Sequence, residues 1–343
     1  MRALMTLSFF ALATGCVGEA QWLPKDLTST ESPGGPAREI KLNQFRDVSA
    51  GLPSPPFIVS AASLDGALYA LVKDTVGKTN LFRLPSGAEA WEAVALPVTG
   101  QERPTFITRL DFSLIVTAAD SAGQGGLFQF SLGDETWKKM SAPNYAGSFV
   151  VKRGSEWLWA TTQGLFASAD RGATWSRRSV AGTALFSQPV RRLVASLAAA
   201  RLFAVSNAGV LMHSDDSGAS WNQGLVDGEV TALVAQGAFV LAETAADGTL
   251  RSDNYGGTFH PLSMNAKVVS FATLGNMQLV AATAADMRSS DNGGSTWKTM
   301  NVGLPPSTSL SSLAQAGSAL LASVSGKLFV AQMEQLTTAS SAQ

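Results

Sequence analysis

The chain has 343 residues, a formal net charge of −1, 15% charged residues and 45% hydrophobic ones. That balance supplies a sizeable core and excludes a multi-span membrane protein. Charge this close to neutral gives no electrostatic footing for nucleic-acid binding.

Residues 1–15 read as a processing segment. Arg2 is followed by an apolar run from Ala3 to Ala13, the length of a signal-peptide core and too short to span a bilayer. The stretch Leu12-Ala13-Thr14-Gly15-Cys16 comes next. It resembles the lipobox of bacterial lipoproteins. The resemblance implies an acylated Cys16 thiol, cleavage before it and a lipid-bearing N-terminus; the other reading is an ordinary secretory signal with an incidental cysteine. Cys16 is the single cysteine, so the fold holds without an internal disulfide. Each buried methylene of an acyl chain contributes about 0.8 kcal/mol, enough in a multiply acylated anchor for stable attachment. Val17 stands where an Asp would retain enteric lipoproteins in the inner membrane, which by resemblance points to the outer membrane or cell surface. Residues 16–39 hold Pro24, Pro33, Gly34, Gly35 and Pro36 without an apolar period. They read as a flexible tether, unable to bury enough surface to order themselves.

From residue 40 to 333 the chain repeats, and 334–343 reads as a tail. One aromatic marks each unit: Phe45, Trp91, Trp137, Trp175, Trp221, Phe259 and Trp297, at steps of 46, 46, 38, 46, 38 and 38 residues. Periods near 40–50 residues belong to propeller blades. Each unit has four short runs of strand chemistry with turn residues between them. In the fifth these runs are 230–235, 238–243, 249–252 and 258–262. The blades are predicted at 57–96, 105–140, 148–180, 190–225, 230–263 and 268–302. A seventh begins at Leu310 with three runs, 310–315, 319–324 and 327–331, and lacks an outer strand. The segment QFRDVSAGLP, residues 44–53, echoes the outer strand of blade six, TWKTMNVGLP, residues 296–305. The N-terminal segment is therefore predicted to complete blade seven and close the ring, removing open sheet edges. The fold expected is all-β: a seven-bladed β-propeller of four-stranded antiparallel blades.

An eight-residue motif recurs before the aromatic. It reads SADRGATW at Ser168, Asp170, Gly172 and Trp175, and SDDSGASW at Ser214, Asp216, Gly218 and Trp221. Asparagine replaces the aspartate in the copies at Ser252, Asn254, Gly256, Phe259 and at Ser290, Asn292, Gly294, Trp297. Blades one and two keep only the aromatic, with Ser86 and Leu132 at the Asp place. The motif resembles the Asp-box, or BNR repeat, of sialidases, sortilin-type receptors, xyloglucanases and the photosystem II assembly factor family. Two readings follow for Asp170 and Asp216. They bind or catalyse, or they staple the turn between third and fourth strands, as Asx side chains do. In proteins with this motif the boxes sit away from the active site, which favours the staple.

Chemistry elsewhere is sparse. The sequence Phe82-Arg83-Leu84-Pro85 is near the sialidase arginine motif, but it falls in the third strand of blade one, whereas sialidases place it on an inner strand. Inner strands do carry Arg109, Lys152, Arg153, Arg191 and Arg192. Directed into the channel they form a candidate axial anion site; at strand ends they are solvated. Of the three tyrosines, Tyr255 sits in a motif turn, Tyr69 in a second strand, and Tyr145 in a loop without a clear Glu partner of the kind a sialidase nucleophile needs. The scattered carboxylates cannot be paired by sequence. His213 and His260 are the two histidines; they form no metal-binding pair, and no Gly-rich phosphate loop precedes a helix. No metal or cofactor is expected. The function expected is a monomeric binding or scaffold module in a bacterial cell envelope, anchored by its N-terminal lipid and contacting a protein or glycan. The alternative is a glycan-active hydrolase, sialidase-like or xyloglucanase-like, with its active site on the axis.

Overall fold

The computed structural model describes residues 40–98, 101–133, 135–178, 190, 192–195, 201–223, 226–275, 277–300, 303–305 and 310–335. Cys16, the tether and Arg191 lie outside the described residues. Seven antiparallel sheets are arranged as a β-propeller. Blades one to six each run inner to outer in chain order, and the inner strands are Phe57–Leu64, Arg103–Leu110, Gly147–Arg153, Arg192–Ala195, Val230–Gln236 and Val268–Gly275.

Blade seven holds Leu310–Ala316, Ala319–Val324 and Lys327–Gln335, and the N-terminal segment completes it. That closing strand comes in two pieces. Ile40–Leu42 pairs with Gln335 to Met333, and Arg46–Asp47 with Val330 and Phe329. Between them the register slips by one residue. Asn43 bridges the slip: its N–H donates to Gln332 O at 3.0 Å and its Oδ1 accepts from Gln332 N at 2.7 Å. The third strand of blade seven was expected at 327–331; pairing with Ile40–Leu42 carries it to Gln335. After Asp47 the segment crosses to blade one. Val48 N donates to Leu328 O at 2.8 Å, while Val48 O accepts from Trp91 Nε1 at 2.9 Å. Gly51 passes so close to blade one, at φ +83°, that a Cβ would stand 2.1 Å from Trp91 O. The closing segment thus fastens the last blade to the first.

The core is seven slabs rather than one centre. Each apolar cluster lies between neighbouring blades. Leu310 and Phe329 meet Val280 and Met287 between blades seven and six, and Trp157 and Trp159 meet Ile115 and Leu127 between three and two. Each blade buries both faces this way, which an isolated blade cannot do. Outer strands are shorter than expected: in blade five only His260–Pro261 pairs, not 258–262. The motif occupies Ser252 to Phe259, so the ladder starts only after its aromatic.

Six inner strands share a register shift within their first three residues: after Ile58, Pro104, Gly147, Val230, Val268 and Leu310. Such bulges bend a strand at a rim. They mark one end of the channel, where inner strands start. The motif turns lie at the other end, where inner strands finish.

Candidate functional site

The four motif turns share one hydrogen-bond pattern. In the first, Asp170 Oδ1 accepts from Ser168 Oγ at 2.8 Å and from Thr174 N at 2.9 Å, and Oδ2 accepts from Thr174 Oγ1 at 2.6 Å. Gly172 N donates to Ser168 Oγ at 2.7 Å, and Trp175 Nε1 to Gly172 O at 3.1 Å. The second repeats it: Asp216 takes Ser214 Oγ at 2.8 Å, Ser220 N at 2.8 Å and Ser220 Oγ at 2.6 Å. Gly218 N reaches Ser214 Oγ at 2.7 Å, and Trp221 Nε1 reaches Gly218 O at 3.2 Å. In the asparagine copies the last bond reverses. Asn254 Nδ2 donates to Thr258 Oγ1 at 3.0 Å and Asn292 Nδ2 to Thr296 Oγ1 at 2.8 Å. Their Oδ1 atoms still accept from Ser252 and Ser290, both at 2.9 Å, and Gly256 and Gly294 still donate to those serines. Trp297 closes the fourth turn on Gly294 O at 2.9 Å.

These contacts fall within each turn. Thr174 and Ser220, through side chain and backbone, hold the Asp170 and Asp216 carboxylates down to about 2. Both oxygens of each aspartate are used within its own turn. Gly218 adopts φ +86°, and a Cβ there would lie 2.3 Å from Leu165 Cδ2 of the preceding blade. The turn is thus seated against its neighbour. One feature escaped the sequence: Arg171, Ser217 and Tyr255, before the glycines, are themselves left-handed.

The described cations expected on the axis are divided between its two ends. Arg109, Lys152 and Arg153 stand at the ends of their inner strands, on the motif side, whereas Arg192 begins its strand at the other mouth. Lys152 pairs with Asp111 and Arg153 donates to Ser217 Oγ in the second motif turn. Arg109 Nε donates to Asp111 O at 3.1 Å. Asp111 also accepts from Trp157 Nε1 at 3.3 Å and has Arg171 Nε 3.8 Å away. It is the gathering point of this end and was not singled out by sequence, because a turn aspartate looks the same whether or not cations from the next blade reach it.

The sialidase-like segment also falls away from the axis. Arg83 is in the third strand of blade one, opposite Tyr69 on one side and Glu92 on the other. Burial pushes the Tyr69 hydroxyl up. Tyr145 stacks near Phe166 at 5.6 Å between centroids, and Tyr255 lies in a motif turn. The three tyrosines occupy three separate places. Among the described residues no group of three His, Cys, Asp or Glu could hold a metal ion.

Two concavities stand out among the described residues. One lies between blades five and six at the end away from the motif turns, beside Glu243, Asp247 and Lys267. Glu243 is buried and spent: it accepts from Thr249 Oγ1 at 2.6 Å and from Val268 N at 3.1 Å, tying the two blades. The other opens on the axis beside Arg192, Thr231 and Ser270.

No family model matches the chain, and no curated protein matches it. Solved structures do. YCF48 from Cyanidioschyzon merolae superposes with a TM-score of 0.62 at 12% identity, over 84% of this chain and 98% of that one. A structure of YCF48 bound to D1 peptide gives 0.65 at 14% identity, over 87% and 97%. The extracellular domain of BT4673 from B. thetaiotaomicron gives 0.61 at 10% identity, over 84% of this chain and 39% of that one. At these identities the likeness is one of fold: the chain is similar to these proteins in being a β-propeller.

Proposed function

We propose that this chain is a binding or scaffold module of a bacterial cell envelope, held to its membrane by lipid on Cys16 and presenting the axis and the loops opposite the motif turns to a protein partner. The observation that carries the reading is the internal use of the motif aspartates. With Asp170 and Asp216 committed to their own turns, the repeat holds blades in shape and supplies no acid, base or nucleophile. The solved complex of the similarly folded YCF48 with D1 peptide favours a protein over a glycan as partner. Propeller folds host many functions, so the fold alone does not choose. No observation here favours the hydrolase: it needs two carboxylates across a scissile bond, and the arginines and tyrosines it would recruit are dispersed.

The test is a crosslinking pull-down from membranes, run beside a fluorogenic glycoside panel on the purified chain. A discrete crosslinked partner without turnover is the expected result. Turnover that persists through purification and fails in an Arg109→Ala variant overturns the binding reading.

A further inference from the structure

At one level of the channel mouth, just past the bulge in six of the blades, each inner strand places one residue. Around the ring these are Ser60, Phe106, Phe149, Arg192, Ala232, Ser270 and Ser312. Most of them stitch neighbouring blades. Ser60 Oγ accepts from Ile107 N at 2.9 Å, and Ser312 Oγ accepts from Ile58 N at 3.1 Å. Ser270 Oγ donates to Leu313 O at 3.2 Å, and the Phe106 and Phe149 rings meet at 4.7 Å between centroids.

Arg192 is the one charged member of the seven, and it makes no hydrogen bond or ion pair with a described residue. Its side chain is exposed to the channel water, yet the surrounding wall withholds enough bulk solvent to push the guanidinium below its ordinary value. Both hold at once in a narrow channel, where a group touches water while ringed by protein. An arginine there stays charged, and its donor fork faces the channel with no described residue accepting from it. No described residue supplies it a counter-charge, so the site is open to an anionic group from outside them.

The space beside it sets the size of that counter-charge. The cavity is about 110 Å³ and is lined by Arg192, Thr231, Ala232, Ser270 and Phe271 among others. At roughly 10–15 Å³ of such space per water, it holds a small cluster of waters and admits a carboxylate on a short stem. Whole small-molecule ligands take sites of about 300 Å³ or more, so the space suits one group of a larger partner. Ala232 and Phe271, from the next two blades, line it and suit an apolar stem. A guanidinium grips a carboxylate through two parallel N–H···O bonds.

We propose that the channel mouth at Arg192 receives a single carboxylate of the protein partner, either an Asp or Glu side chain or a chain-terminal carboxylate. The inference rests on the protein-binding reading and sharpens it. Titrations of the full chain, followed by the Arg192 Nε–H resonance in arginine-labelled protein, separate the sources. N-acetylglutamic acid α-amide offers a side-chain carboxylate, N-acetylleucine a chain end and galacturonate a sugar acid. A saturable shift with either of the first two, and none with galacturonate, is expected. A shift with galacturonate alone, or with none of the three, overturns the proposal.

In the membrane pull-down, Arg192→Gln is expected to lower partner capture at least tenfold with an unchanged melting curve, and Arg192→Lys to restore part of it. Undiminished capture by Arg192→Gln overturns the carboxylate site and leaves the protein-binding reading intact. Absence of any partner with the unaltered chain defeats that underlying reading instead.

Discussion

Asp170, Asp216 and Asp47 titrate far below an ordinary aspartate, each lowered from 3.8 to about 2. Hydroxyl and amide donors of Thr174 and Ser220 do this in the motif turns; Lys327 and Ser49 do it for Asp47. A carboxyl group with a depressed folded-state value adds stability that is present above its unfolded value and lost as pH falls through the folded one. The melting temperature is therefore expected to fall between about pH 4 and pH 2, with these aspartates contributing. A double Asp170→Asn, Asp216→Asn variant should lose part of that acid dependence, since Asn254 and Asn292 already make the equivalent turn without a titrating group. Acid melting identical in variant and parent would contradict the assignment. At this scale the turn chemistry was legible, because Ser, Asp or Asn, Gly and aromatic each have a local reason. Asp111 was not, since its partners Lys152, Arg171 and Trp157 come from the next blade.

The hairpin between third and fourth strands divides its work unevenly. Trp221 is 5% exposed and packs with Leu202 and Leu165 between blades three and four, whereas Asp216 serves only its turn. Replacing a buried aromatic by alanine costs roughly 3–5 kcal/mol. Urea unfolding of Trp221→Ala should show a loss in that range, and Asp216→Ala a clearly smaller one; equal losses would refute the division. Gly218→Ala should also destabilise, because its φ of +86° and the 2.3 Å approach to Leu165 leave no room for a Cβ. The closing strand was legible through its echo of blade six. Its break at Asn43 was not, because a side chain replacing one rung of a ladder leaves no periodic trace.

Seven blades hold one another, so the ring is one structural unit closed by a single segment. Phe45 sits in the slab between blades six and seven, and Val48 in the slab between seven and one. Deleting residues 40–51 removes both and exposes the edge of Lys327–Gln335. The truncated chain should melt well below the intact one and lose cooperativity; an unchanged melt would refute closure. The number of blades could be counted from aromatic spacing, but not which mouth of the channel a basic residue serves. Arg109 and Arg192 both lie on inner strands, yet one ends its strand and the other begins it, so a small difference in position separates the two faces of the disc. The Cys16→Ser variant should leave the membrane fraction, and its retention would count against the lipid anchor. The central claim is that the motif turns shape the disc while the opposite mouth binds. A photo-crosslinking amino acid in place of Val59, at that mouth, or of Tyr255, in a motif turn, tests it most directly in membranes. A discrete protein adduct is expected from position 59 and none from position 255; an adduct confined to position 255 would place binding on the motif side instead.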